Sequence, residues 1–248
     1  MSDHVWIDHY KITSYLVNLR GQAGLYAILN LIQDVGWMHA LHLRVKLDKN
    51  EGWVFTRQKL TMQEWPAWNQ TVTVRTWIRP PSHEAFLYRD YEIYVDEKKL
   101  GECTSTFTVM DMNSRKLAVK DWSAYSHIWR PEGHLPHMPE KIVYTNDSES
   151  LSQFQVRNSD IDLNNHVNNT KYAQWILDAI PIDRLRGGVH LYGYEVNFLA
   201  EAKTGDVVNV QRGLDEVKDG IFTYNQFQGV RTTDQKPIFT ARLKFSET

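Results

Sequence analysis

Cysteine is almost absent from this sequence: Cys103 stands alone, so no disulfide can close within the chain. No stretch approaches the ~18 consecutive apolar residues that a membrane-crossing helix needs. Excess charge is missing as well. Twenty-eight Lys and Arg against 30 Asp and Glu leave a formal net charge of −2. That is too little to draw in nucleic acid or an anionic membrane by a global field. The opening residues, MSDHVWIDHY, are acidic and polar, unlike a secretory or organelle leader. Without a secretory route, the Asn-x-Ser/Thr sequons at Asn69, Asn146 and Asn168 read as chance matches. There is no glycine-rich phosphate loop, and the ten histidines form no recognised metal-ligand spacing. These absences lead us to expect a soluble cytoplasmic protein with no membrane span, no nucleic-acid partner, no metal and no cofactor of its own. Apolar side chains, by contrast, make up 42% of 248 residues, enough for one large core or two ordinary ones.

The two halves of the chain look alike. QTVTVRTW (70–77) pairs with DVVNVQRG (206–213) at an offset of 136. At the same offset, residues 85–111 fall on 221–247, with Phe86 on Phe222, Tyr88 on Tyr224, Phe107 on Leu243 and Val109 on Phe245. Each copy alternates apolar and polar residues, breaks at a polar turn (VDEKKLG or RTTDQKP), then alternates again, which is a β-hairpin pattern. Upstream of each hairpin lies one helix. The first, over 24–43, is apolar almost all round and is expected to be buried. The second runs from about Asn168 to Ile180, with Tyr172, Trp175, Ile176 and Ala179 on one stripe and Pro181 as its stop. Aligning the helices needs an offset near 144, so the first half carries about eight extra residues around RVKLDKNEG. One helix wrapped by a long antiparallel sheet is the hotdog pattern. The expected fold is therefore α+β, a double hotdog, with repeats over 1–125 and 151–248. A linker rich in Pro, His and charge joins them over 126–150.

The most unusual stretch is SDIDLNNHVNN (159–169), which leads into the second helix. Asp162, Asn164 and His166 are spaced i, i+2, i+4, which on an extended segment projects all three onto one face. Asn168 or Asn169 suits the helix N-cap, and the free N–H groups there favour a developing negative charge. Capping accounts for one or two asparagines but not for the set of three. A calcium loop fails at its two most demanding places, where Asn165 replaces the required Gly and Lys171 the required Glu. The repeat is its own control: at the helix offset the three positions hold Asn18, Arg20 and Gln22. One chemical site per chain is expected, in the second half. The first half is then free to do something else, such as hold the rest of a substrate beside Leu25, Ile28, Leu29 and Ile32.

SDIDLNNHVNNTKYAQWILD resembles the signature of the acyl-acyl-carrier-protein thioesterases of plants and bacteria. GWVFTRQKLTMQEWPAWNQTVTVRTW and STFTVMDMNSRKLAVK resemble that family's first half. The resemblance implies a double hotdog that hydrolyses fatty acyl thioesters on acyl carrier protein, the phosphopantetheine arriving with the substrate. By position, Asp162, Asn164 and His166 match the family's active-site Asp, Asn and His. Where plant members have a Glu-Cys pair, this sequence has Glu201-Ala202. Cys103, at the position matching Phe239, reads as a small buried apolar residue. Water is then the expected nucleophile, with Glu201 or Asp162 as base, Glu201 favoured. His166 would share a proton or orient the water, and Asn164 would hold the carbonyl. Backbone N–H groups near Asn168 and Asn169 would steady the oxyanion. Arg184 and Arg186, beside the helix, suit an acidic carrier. An acyl-CoA thioesterase of the same fold and a non-catalytic acyl-binding hotdog remain as alternatives, and a homodimer stays open.

Overall fold

The computed structural model describes residues 4–81, 85–186 and 189–246. It divides into two compact units, Met1–Pro139 and Glu140–Thr248. The boundary falls inside the expected linker.

The first unit comprises β1 (Trp6–Lys11), α1 (Leu25–Leu43), β2 (Glu51–Met62), β3 (Thr71–Ile78), β4 (Leu87–Val95), β5 (Lys98–Asp111) and the short β6 (Lys116–Leu117). Its antiparallel sheet runs β1-β3-β4-β5-β2, with β6 paired to β5. The second unit comprises β7 (Ser148–Gln155), α2 (Asn169–Ala179), α3 (Ile182–Arg186), β8 (His190–Phe198), β9 (Val207–Asp219), β10 (Phe222–Arg231) and β11 (Pro237–Ser246). Its order, β7-β9-β10-β11-β8, repeats that of the first. Apart from β6 and α3, chain order is the same in both: one strand, a helix, then four strands. The two helices start 144 positions apart, at Leu25 and Asn169, as the alignment required.

The hairpins match less simply. Two residues, Asp96 and Glu97, join β4 to β5, whereas the five residues 232–236 join β10 to β11. Tyr91 therefore faces Cys103 while Phe227 faces Ala241. A constant offset of 136 slips by two residues across the turn.

In each unit the helix covers one sheet face and a strap of irregular chain covers the other. Gly36 lets α1 settle on β4, since a Cβ there would lie 2.7 Å from the Tyr91 hydroxyl. Val35, Ile32 and Ile28 of α1 are buried, but Trp37, Met38 and Leu41 are 43–58% exposed, so its last turns are not enclosed as their composition suggested. On the opposite face, Arg79 grips Asp90 through two 2.7 Å bonds, and Leu135 of the strap donates its N–H to the same carboxylate. The second strap is pinned likewise: Ile142 N–H donates to Asn197 Oδ1 at 2.8 Å, and Gln228 Nε2 donates to Thr145 O at 2.7 Å. Facing α2, by contrast, the sheet presents Tyr194, Val196, Phe227, Phe239 and Leu243, all 0–1% exposed. Tyr172 of α2 packs on Phe239 with ring centroids 5.0 Å apart.

Candidate active site

Residues 157–169 do not form the extended segment that their spacing suggested. A 3-10 turn at Asn158–Asp160 comes first, closed by the Arg157 N–H donating to Asp160 Oδ2 at 2.9 Å. The chain then doubles back. Ile161 bridges antiparallel to Val167, and Asp162 N–H donates to His166 O at 2.9 Å. Inside this narrow loop Asn165 N–H donates to Asp162 O at 3.0 Å, and Asn164 N–H donates to Asp162 Oδ1 at 2.8 Å. Asn165 sits at φ 63°, the left-handed conformation that asparagine tolerates better than most residues. The cause is local: an Asp side chain can bond backbone two residues on and so favours a turn over a strand. Alternation on one face therefore does not gather the site. The turn does, by setting Asp162 and His166 opposite each other.

The candidate site centres on His166. Its Nε2 lies 3.2 Å from Glu201 Oε2, with the two side chains 24% and 32% exposed, within reach of a substrate. Glu201 follows β8 in a segment that is well anchored. Leu199 and Ala200 N–H both donate to Ile238 O, and Arg231 Nη1 donates to Glu201 O at 3.2 Å. Val167 N–H donates to Ala202 O at 2.9 Å, tying the histidine loop to the glutamate segment. Of the four expected site residues, His166 and Glu201 are in direct contact and Asp162 closes the loop beneath them. Asn164 sits at the exposed corner, its side chain without a hydrogen bond among the described residues.

Tyr172 belongs to this neighbourhood too, although its place on the helix stripe marked it only as core. It is 2% exposed, and burial pushes its phenol pKa up. A bond with the Ala202 backbone opposes that rise, while the Glu201, Asp162 and Asp206 carboxylates add to it. A tyrosine that senses three carboxylates leaves no periodic trace in a sequence.

Asn168 is the N-cap of α2: its Oδ1 accepts from Thr170 N–H and Thr170 Oγ1, both at 3.0 Å. Its own N–H is committed to Asp160 O at 2.8 Å, so it is not an oxyanion donor as expected. The Asn169 N–H makes no hydrogen bond to the described residues. Cys103 is buried in β5 between Tyr91 and Leu60, and burial pushes its thiol pKa up, which keeps it protonated and unreactive. Ala202 is fully buried.

An α+β hotdog unit with an imidazole–carboxylate pair beside its central helix defines the class, and the comparisons with known proteins place the chain within it. Residues 3–121 match the acyl-ACP thioesterase N-terminal domain, and residues 144–244 match the C-terminal domain. The chain belongs to the acyl-ACP thioesterase family. Among curated relatives, a chloroplastic dodecanoyl-[acyl-carrier-protein] hydrolase of Cinnamomum camphora is 24% identical over 80% of this chain and 56% of its own length. A chloroplastic oleoyl-acyl carrier protein thioesterase of Coriandrum sativum is 26% identical over 70% of this chain and 53% of its own. The chain thus spans about half the length of the curated relatives it matches. Its fold is that of a Bacteroides thetaiotaomicron acyl-ACP thioesterase, at TM-score 0.87 and 22% identity over 99% of this chain and 100% of that one. A 12:0-ACP thioesterase from Umbellularia californica gives TM-score 0.84 at 20% identity over 98% and 94%.

Proposed function

We propose that this protein hydrolyses fatty acyl thioesters carried on acyl carrier protein, releasing the free fatty acid and the carrier thiol. The observation that carries this reading is the 3.2 Å contact between His166 and Glu201 beside the α2 N-terminus. A neutral imidazole donating its Nε2 hydrogen to Glu201 leaves Nδ1 as a proton acceptor, and Nδ1 meets no other described group. Water held there loses its proton to the pair as its oxygen bonds to the thioester carbonyl carbon. Glu201 steadies the imidazolium that forms. Collapse of the tetrahedral intermediate breaks the C–S bond. The leaving thiolate, with an intrinsic pKa of about 8.5, needs little help from an acid. The Asn169 N–H at the helix mouth is the backbone donor for the oxyanion, and Asn164 is the side chain that meets the carbonyl on entry. Asp162 is the weaker candidate for the base, because one of its oxygens already caps the Asn164 N–H. No cofactor is required beyond the phosphopantetheine that the substrate brings, and the first unit receives the acyl tail.

A purely acyl-binding hotdog would have no use for the imidazole–carboxylate pair. An acyl-CoA thioesterase would need the same pair, so the carrier must be tested directly. Purified protein is incubated with dodecanoyl-carrier-protein and dodecanoyl-CoA, and released thiol is measured. Faster turnover on the carrier protein, reduced by added salt, supports the assignment. Equal or faster turnover of the CoA ester, indifferent to salt, replaces it with the CoA reading. No thiol release from either leaves a binding protein.

A further inference from the structure

We infer that the first unit holds a binding site, beneath α1, for a carboxylate at the end of an alkyl chain, with Arg89 as its anchor. Arg89 points from β4 toward α1 and is 6% exposed. Its Nη1 lies 2.7 Å from His39 Nδ1 and 3.4 Å from Thr76 Oγ1. Its Nε and Nη2 form no hydrogen bond with the described residues. Its neighbours across the sheet are Ile78, Ser105 and, one strand further, Gln58, all uncharged. Tyr91 and Cys103 of the next row stay protonated because burial raises both pKa values. His39 is held neutral, its pKa lowered to about 3 by burial and by Arg89 itself. The adjacent carboxylate, Asp90, lies on the opposite face and is taken by Arg79, Thr104 and Leu135 N–H.

The unit therefore buries two guanidinium groups and treats them differently. Among the described residues Arg79 has its carboxylate, whereas Arg89 has only the neutral His39 and Thr76 as hydrogen-bond partners. A cation removed from water without a counter-charge is costly, and a planar guanidinium with two idle N–H positions fits a carboxylate well. The row on one side of Arg89 is apolar, and the row on the other carries no charge. Leu87, Phe107 and Phe55 lie on one side; on the other come Thr76, Tyr91, Cys103 and Leu60, and only beyond them the apolar Val74, Ile93 and Met62. An alkyl chain is compatible with such rows. The second unit provides the contrast: with Tyr91 matched to Phe227, Arg89 falls on Asn225, whose row continues through Leu243 and Tyr194 and holds no cation. Hotdog architecture alone does not ask for the arginine.

Two ligands carry this chemistry: a free fatty acid, and a dicarboxylic acyl chain presenting its second carboxyl. The choice of an alkyl chain rests on the fatty acyl reading of the function, whereas the carboxylate does not. The test measures binding of dodecanoate and 1-dodecanol to the intact protein at pH 8, below their micelle concentrations. Turnover of dodecanoyl and ω-carboxydodecanoyl thioesters is measured separately. The expected result is about ten-fold or more preference for acid over alcohol, or the same preference in kcat/KM for the ω-carboxy thioester. The first outcome identifies the free acid as ligand and the second identifies the dicarboxylic chain. Either preference should vanish in Arg89→Met and survive in part in Arg89→Lys. Should Arg89→Met fail to fold, hydrogen exchange on the wild type decides: ligand protection must centre on residues 36–43 of α1. Lack of discrimination in both assays, an undiminished preference in folded Arg89→Met, or protection confined to the second unit would overturn the inference. Binding needs no turnover, so inactive protein that still prefers the acid would refute the hydrolase reading and leave the site intact.

Discussion

Val17–Ala23 and Ile161–Val167 are the same loop built twice. Val17 bridges Ala23 as Ile161 bridges Val167. Asn18 N–H donates to Gln22 O at 2.8 Å, and Asp162 N–H to His166 O at 2.9 Å. Asn18 Oδ1 accepts from Arg20 N–H at 2.9 Å, and Asp162 Oδ1 from Asn164 N–H at 2.8 Å. Gly21 at φ 68° stands where Asn165 stands at 63°. Even the lashing recurs, with Ala23 N–H on Pro66 O and Val167 N–H on Ala202 O, both near 2.9 Å. What differs is the chemistry carried on an identical backbone. The first loop has Gln22 followed across the lashing by Trp65, and the second has His166 with Glu201. The loop thus belongs to the fold, and the imidazole–carboxylate contact is found in one copy. Asp162 inherits its turn-closing bond from the fold, which is why that bond alone is poor evidence for a chemical role.

The largest expected effect separates the copies directly. His166→Ala or Glu201→Gln should each lower kcat on a dodecanoyl thioester by about 100-fold or more, the usual range for a positioned base. Gln22→Ala should leave kcat unchanged. Circular dichroism must show all three folded.

The next effect concerns acid stability and falls on the first unit. His39 is 2% exposed, stacked on Trp6 and bonded to Arg89, and its folded pKa of about 3 lies below the unfolded value. The unfolded state then binds the extra proton, so this contribution is complete above about pH 6.5 and is lost as pH falls toward 3. The loss is on the order of a few kcal/mol. Hydrogen exchange between pH 7 and 4.5 should show β3 and β4 opening before β10 and β11, and His39→Gln should flatten that dependence. Equal acid sensitivity of the two sheets would contradict it.

A smaller effect tests the shared turn. Asn18→Ala removes two side-chain-to-backbone bonds, from Arg20 and Gln22 N–H, and Asp162→Ala removes one; each should cost about 1 kcal/mol in urea unfolding. Only the second should also lower kcat. Asp162→Asn should restore the turn, since asparagine already does this work in the first copy, so any remaining loss of rate reports on charge alone. The smallest effect is expected at Cys103. Cys103→Ala should keep kcat within about two-fold, and thiol-blocking reagents should inhibit weakly, because a buried protonated thiol is inert.

Much of this was legible in the sequence because the repeat was. Both helices and both hairpins follow from periodicity and end signals, which also narrow the cap of the second helix to Asn168 or Asn169. Tyr172, Trp175 and Ile176 are buried as their stripe required. The polar loop was misread because i, i+2, i+4 spacing describes a strand face and the two arms of a tight turn equally well. Asp and Asn at 162, 164 and 165 were the available sign of a turn. The β4 strand was harder still. Arg89, Asp90 and Tyr91 are all buried, at 6%, 0% and 2%. A sheet covered on both faces hides the alternation that marks inside from outside. Glu201 could be placed only by resemblance, because its partner is 35 residues earlier in the chain and no local pattern links them.

The central claim is that His166 and Glu201 act as one unit on one water, and a double-mutant cycle in kcat tests it most directly. His166→Ala, Glu201→Gln and the double variant are assayed on the same dodecanoyl-carrier-protein substrate, each confirmed folded. Groups that act together do not contribute additively, so the double variant should be about as slow as the slower single one. A double variant slower by the product of the two single losses, or a folded Glu201→Gln with wild-type kcat, would contradict the account.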